Sequence, residues 1–152
     1  MKKEWLSRSP SETERIGAAI AASLSAGAVV ALYGELGMGK TAFVRGMAAG
    51  RGLSAEVSSP TFALVHDYGG HPALIHFDMY RVSGWEDLYS TGFFDYLDAG
   101  CILAVEWSEH IEAALPADTI RIRMERLDDT TRRIVYTDMK QIEDDGNENT
   151  GN

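Results

Sequence analysis

The chain has 152 residues, 45% of them apolar, and 14 lysines and arginines stand against 23 aspartates and glutamates for a formal net charge of −9. That is enough for one domain with a real core, and the acidic balance argues against a surface built to hold nucleic-acid phosphates directly. The single cysteine, Cys101, excludes an internal disulfide, no apolar run reaches membrane-spanning length, and the first residues lead into polar sequence rather than a signal core, so the expected location is cytoplasmic.

Taken in chain order, Ser9-Pro-Ser-Glu-Thr-Glu reads as a helix start, with Pro10 or Ser11 at its beginning and Glu12 and Glu14 favourable in the first turn. Ile16, Ala19, Ile20 and Leu24 recur at helical spacing, and Gly27 closes the segment. Ala28 to Tyr33 is a short apolar run rich in β-branched residues and predicts a buried strand. G-E-L-G-M-G-K-T follows at 34 to 41 and matches the phosphate-loop spacing G-x-x-x-x-G-K-[ST]. Glycines let successive backbone N–H groups close around phosphate oxygens. Lys40 reaches the β- and γ-phosphates, the Thr41 hydroxyl ligates magnesium, and the helix starting near Lys40 turns its positive end toward the anion. The expected phosphate-binding set is therefore Glu35, Leu36, Gly37, Met38, Gly39, Lys40, Thr41 and Ala42. Phe43, Val44, Met47 and Ala48 carry that helix to Gly50-Arg-Gly.

Val57-Ser-Ser-Pro-Thr-Phe opens as a polar loop and becomes a strand from about Phe62. Pro60 restricts this loop, and Thr61 stands where a segment closing over a γ-phosphate is expected. Gly69-Gly70 makes a turn into the strand Ala73 to Asp78, a hairpin that points to a mixed sheet. Trp85 to Tyr96 is polar and aromatic with one short helix, and Asp95 to Gly100 connects it to a strand from Cys101 to Val105 that ends at Glu106-Trp107. A helix is expected from Ser108 to Ala114, stopped by Pro116. Thr119 to Met124 alternates with Arg121 and Arg123 outward, Asp128-Asp129 turns, and Arg132 to Thr137 is its hairpin partner. After Met139 an acidic, polar tail is expected to be disordered. The fold class is α/β: one P-loop nucleotide-binding domain over residues 1–139, with a mixed β-sheet flanked by helices.

A phosphate loop needs a carboxylate near its magnesium, and both Asp78 and Glu106 end apolar runs. Residue type favours Asp78 and strand quality favours Glu106, so the residues alone leave both open. His76, beside Asp78, reads as a site-lining or structural hydrogen-bonding residue, since no His/Cys cluster accompanies it. Without an N-K-x-D segment, adenine is the better base than guanine. A small-molecule or nucleotide kinase and a non-catalytic, nucleotide-gated binding module are the competing classes, although no arginine-rich lid of the kinase type is present.

From about Ser9 to Arg133 the chain resembles the TsaE (YjeE) family of bacterial ATPases, required for threonylcarbamoyladenosine modification of tRNA. The landmarks are the phosphate loop, V-S-S-P-T-F at 57 to 62, H-F-D-M-Y-R at 76 to 81, D-L-Y-S-T-G-F-F-D-Y at 87 to 96, and A-V-E-W at 104 to 107. The resemblance implies ATP and magnesium as cofactors, with Thr41 and Glu106 as metal ligands and Lys40 on the phosphates. It makes Asp78 an additional active-site acid, places Thr61 in a nucleotide-sensing loop, and brings Ser11, Glu109 and Arg132 or Arg133 toward adenine or ribose. The implied partners are the TsaD and TsaB proteins, whose complex the ATPase regulates or resets; tRNA contact is indirect and no membrane is involved. Ser108 stands where many relatives carry proline, and Ser90-Thr91-Gly92 where leucine often precedes glycine. Neither change removes a charge or hydroxyl assigned to the chemistry.

Overall fold

The computed structural model of the chain describes residues 1–34, 37–54 and 65–138. Its strands are β1 (Lys2–Ser7), β2 (Val29–Tyr33), β3 (Val65–Gly70), β4 (Ala73–Asp78), β5 (Ile102–Glu106), β6 (Ile120–Arg126) and β7 (Arg132–Thr137). The helices are α1 (Pro10–Ala22), α2 (Lys40–Gly50), α3 (Trp85–Ser90) and α4 (Phe93–Asp98), with 3-10 turns over Ser108–Ala114. One sheet runs in the order β1-β7-β6-β2-β5-β4-β3. Strands β6, β2, β5 and β4 are mutually parallel, while β3, β7 and β1 add antiparallel edges, so the sheet is mixed as expected.

The middle of the sheet follows from composition. β2 and β5 are buried along their whole length, which is why V-V-A-L-Y and I-L-A-V-E are nearly continuous apolar runs rather than alternating ones. Val30, Leu32, Leu74, Ile102, Ala104 and Ile122 face α1 and α2, where they pack with Ile20, Phe43, Val44 and Met47. On the opposite face Val29, Ile75, Phe77, Leu103 and Val105 pack with Leu88, Phe93 and Ile111. Each fully buried side chain of this size contributes roughly 1.5–3 kcal/mol of burial free energy, which holds helices against both faces. Cys101 lies at the edge of the second cluster, and burial pushes its thiol pKa up, as suits an inert structural cysteine.

The α1–α2 contact sets the position of the glycine loop after β2, because α2 begins at Lys40. Its closeness depends on glycine. A Cβ added at Gly46 would run into the carbonyl oxygen of Glu14, at Gly17 into that of Phe43, and at Gly50 into that of Ala18. These obstacles are backbone, so no flexible side chain can yield. Gly46→Ala is therefore expected to destabilise the chain by about 3 kcal/mol, read as a lower urea midpoint with an unchanged slope.

Several expectations need correction. β1 was not foreseen, because most of K-K-E-W-L-S faces solvent. It is a charged edge strand paired with β7 from Lys2↔Thr137 to Ser7↔Arg132. The 85-to-96 stretch holds α3 and the start of α4, broken at Gly92 with φ 81°, and α4 occupies most of what was read as a connector. After β5 the turns are 3-10 rather than α, with a kink at Ile111. Arg121 and Arg123 alternate with buried Ile122 and Met124 as expected, and Arg121 donates to Glu112 at 2.6 Å. The start of the strand expected from Phe62 and the tail after Met139 lie outside the described residues.

Candidate active site

The site lies at the carboxyl ends of the parallel strands, where an open α/β sheet leaves a crevice. Beyond β2, Gly34, Gly37 and Gly39 take φ of 144°, 81° and 100°, backbone that side-chain-bearing residues rarely adopt. Gly39 occupies the N-cap of α2, and its carbonyl accepts the first helical bond from the Phe43 N–H at 2.9 Å. Unfilled amide groups of the first helical turn thus open onto the glycine loop. Lys40 heads that turn and is only 5% exposed. Its Nζ donates to the Gly34 carbonyl at 2.5 Å and sits 4.4 Å from the centre of the Trp107 ring. Among the described residues no carboxylate pairs with it. A buried ammonium held by one carbonyl and a π face remains ready for an anion. Thr41, the next residue, is half-buried.

Trp107 is held there in a strained conformation. Its φ of 59° and ψ of 41° put a bulky residue in the left-handed region, which costs on the order of 1–3 kcal/mol and needs local support. Support comes from the buried Ser108 hydroxyl, which donates to the Val105 carbonyl at 2.8 Å, and from Tyr80, whose ring centre lies 4.9 Å from that of Trp107. The Ser108 hydroxyl therefore closes the turn that presents the indole to Lys40.

The two candidate acids are neighbours. Asp78 and Glu106 are register partners on β4 and β5, and Glu106 is also opposite Leu32 on β2, just before the glycine loop. Glu106 is 8% exposed, and its Oε2 lies 2.6 Å from Nε2 of the fully buried His76. Asp78 is half-buried, and its Oδ1 accepts the Tyr80 N–H at 3.0 Å in a local turn. Oxygen donors from Thr41, Glu106 and Asp78 suit a hard cation such as magnesium. Among the described residues no group of three or more His, Cys, Asp and Glu could hold a metal unaided. Magnesium takes much of its shell from phosphates and water. Bound there, it would neutralise phosphate charge.

A groove of about 290 Å³ adjoins the loop, lined by Ser9, Pro10 and Thr13 at the head of α1, by Gly37, Met38, Gly39 and Ala42, by Asp129 and Thr130 between β6 and β7, and by Arg132 at the start of β7. It forms an open slot beside the glycine loop. Of the residues the resemblance brought toward adenine or ribose, Arg132 lines this groove. Ser11 and Glu109 are exposed and are not among the residues lining this groove, while Glu35, Leu36 and Thr61 lie outside the described residues. Thr13, Asp129 and Thr130 were not foreseen. Thr13 carried a faint signal, as a polar residue on the inner face of an amphipathic helix; its hydroxyl is 2.7 Å from that of Ser7 on β1.

Comparison with known proteins bears on this geometry. The family model described as "Threonylcarbamoyl adenosine biosynthesis protein TsaE" matches residues 7–134. The tRNA threonylcarbamoyladenosine biosynthesis protein TsaE of Treponema pallidum is 38% identical over 129 residues, covering 85% of this chain and 96% of its own. The protein of the same name from Bacillus subtilis is 36% identical over 135 residues, covering 88% and 84%. The crystal structure of Bacillus subtilis YdiB superposes with a TM-score of 0.76 at 31% identity, over 93% of this chain and 88% of that one.

Proposed function

We propose that this chain, which belongs to the TsaE family of threonylcarbamoyl adenosine biosynthesis proteins, is the magnesium-dependent ATP hydrolase of that pathway, acting with TsaD and TsaB to regulate or reset their complex. Membership places it in tRNA threonylcarbamoyladenosine biosynthesis. The observation that supports hydrolysis is the placement of Lys40 at the head of the helix that follows a glycine-rich loop, with the strand before that loop paired to β5, which ends at Glu106.

In this reading the loop amides and Lys40 bind the β- and γ-phosphates and draw off charge as the terminal phosphoryl group departs. Thr41 and Glu106 would hold magnesium, and Asp78 orients the attacking water or supports the metal's surroundings. The groove beside Arg132 takes adenine and ribose. Trp107 covers the Lys40 ammonium and limits its access to water. With a net charge of −9 the chain reaches tRNA through its partners rather than by its own surface. Among the described residues no helix is long and apolar enough to cross a membrane, and action in the cytoplasm is part of the same proposal.

The test is phosphate release and threonylcarbamoyladenosine formation in one mixture of tRNA, threonine, bicarbonate, ATP, the carbamoyl-adenylate synthase, TsaD and TsaB. Adding the chain is expected to raise phosphate release above the sum of its parts and to sustain repeated modification. Modification that proceeds undiminished without the chain removes the coupled role. A phosphorylated acceptor in place of free phosphate identifies a kinase instead.

A further inference from the structure

His76 is a polar residue in a position built for an apolar one. In A-L-I-H-F-D it alternates with Leu74 on the sheet face that packs against α1 and α2, and it is completely buried. Its Nε2 is 2.6 Å from Oε2 of Glu106, while its Nδ1 is buried without a hydrogen-bond partner among the described residues. A carboxylate accepts, so Nε2 carries the proton of this bond and donates it. A core chosen for stability alone would place an aliphatic side chain here, because a buried polar pair with one nitrogen unsatisfied adds little net stability. A local departure from that rule beside a functional carboxylate points to a role in the site.

We propose that His76 is a positioning residue. It fixes the Glu106 carboxylate through Nε2–H···Oε2 and thereby presents the other oxygen, Oε1, to the magnesium ion. The register supports this division of labour. Glu106 ends β5 opposite Asp78, and His76 stands two residue pairs back, at the level of Ala104, so it reaches the carboxylate from inside the core. A fully buried donor anchored in a strand holds one carboxylate rotamer through each turnover, as partners behind metal ligands commonly do.

The proposal rests on the reading of Glu106 as a metal ligand, and the experiment separates the two. Manganese serves as the spectroscopic probe. Its affinity for the full chain with bound ADP is measured by electron paramagnetic resonance for wild type, His76→Phe, His76→Gln, His76→Asn, Glu106→Gln and the His76→Phe/Glu106→Gln double variant. His76→Phe is expected to weaken manganese binding about tenfold or more. His76→Gln, whose amide nitrogen stands near the Nε2 position, recovers most of the loss. His76→Asn, whose amide stands near Nδ1, does not. The double variant binds no more weakly than Glu106→Gln alone, because the histidine acts through that carboxylate. If His76→Phe does not fold, the Gln and Asn variants decide by the same contrast. Wild-type affinity in His76→Phe, equal affinities in the Gln and Asn variants, or additive losses in the double variant overturn the proposal while the ligand reading stands. Wild-type affinity in Glu106→Gln overturns both.

Discussion

Lys40→Ala is expected to lower ATP hydrolysis by on the order of 10²-fold or more, the scale on which single charge-stabilising donors act in phosphoryl and acyl transfer. The variant should remain folded. Lys40 lies in the first turn of α2 and its amine holds only the Gly34 carbonyl among the described residues, so the lost hydrogen bond costs about 1 kcal/mol. The contact with the Trp107 face adds about 0.5–2 kcal/mol at most. Phosphate release in a single-turnover assay, set beside the melting temperature of the same preparation, checks this. A variant that melts as wild type and hydrolyses ATP within about threefold of it shows that the ammonium does not meet the transferring group.

The legibility of this lysine has a physical reason. A phosphate loop is a demand on consecutive residues: glycines where φ is positive, a cation and a hydroxyl at the first helical turn, an apolar strand before it. All of that lies within one short stretch, so sequence displays it. The buried strands β2 and β5 were legible on the same ground. β1 was not, because only Trp5 and Ser7 of its six residues turn inward and its pairing with β7 joins opposite ends of the described chain. The difference in surroundings between Asp78 and Glu106 was equally hidden. Both end apolar strands, and what distinguishes them is a contact between residues 30 positions apart, His76 with Glu106, created by the β4–β5 register. The groove beside the loop shows the same limit, since α1, the glycine loop and the β6–β7 turn meet there only after the sheet has formed.

Glu106→Gln is the second large effect, and it separates chemistry from stability. Truncation to alanine would strip His76 of its partner and leave a second buried ring nitrogen unsatisfied, at a cost of about 1–3 kcal/mol, so lost activity could reflect lost structure. Glutamine keeps the volume and an acceptor for the Nε2 proton while removing the charge. Glu106→Gln is therefore expected to melt within about 1 kcal/mol of wild type, to keep nucleotide affinity, and to lose about 10²-fold or more in hydrolysis. Asp78→Asn is the matched comparison. Asp78 is more open, and its oxygen accepts one backbone N–H in a local turn, so that variant should stay folded and lose less. Measuring phosphate release and nucleotide binding on both fixes the order of the two acids. If Asp78→Asn proves the more damaging, the carboxylate nearest the chemistry is the one on β4, and Glu106 serves the site from behind it.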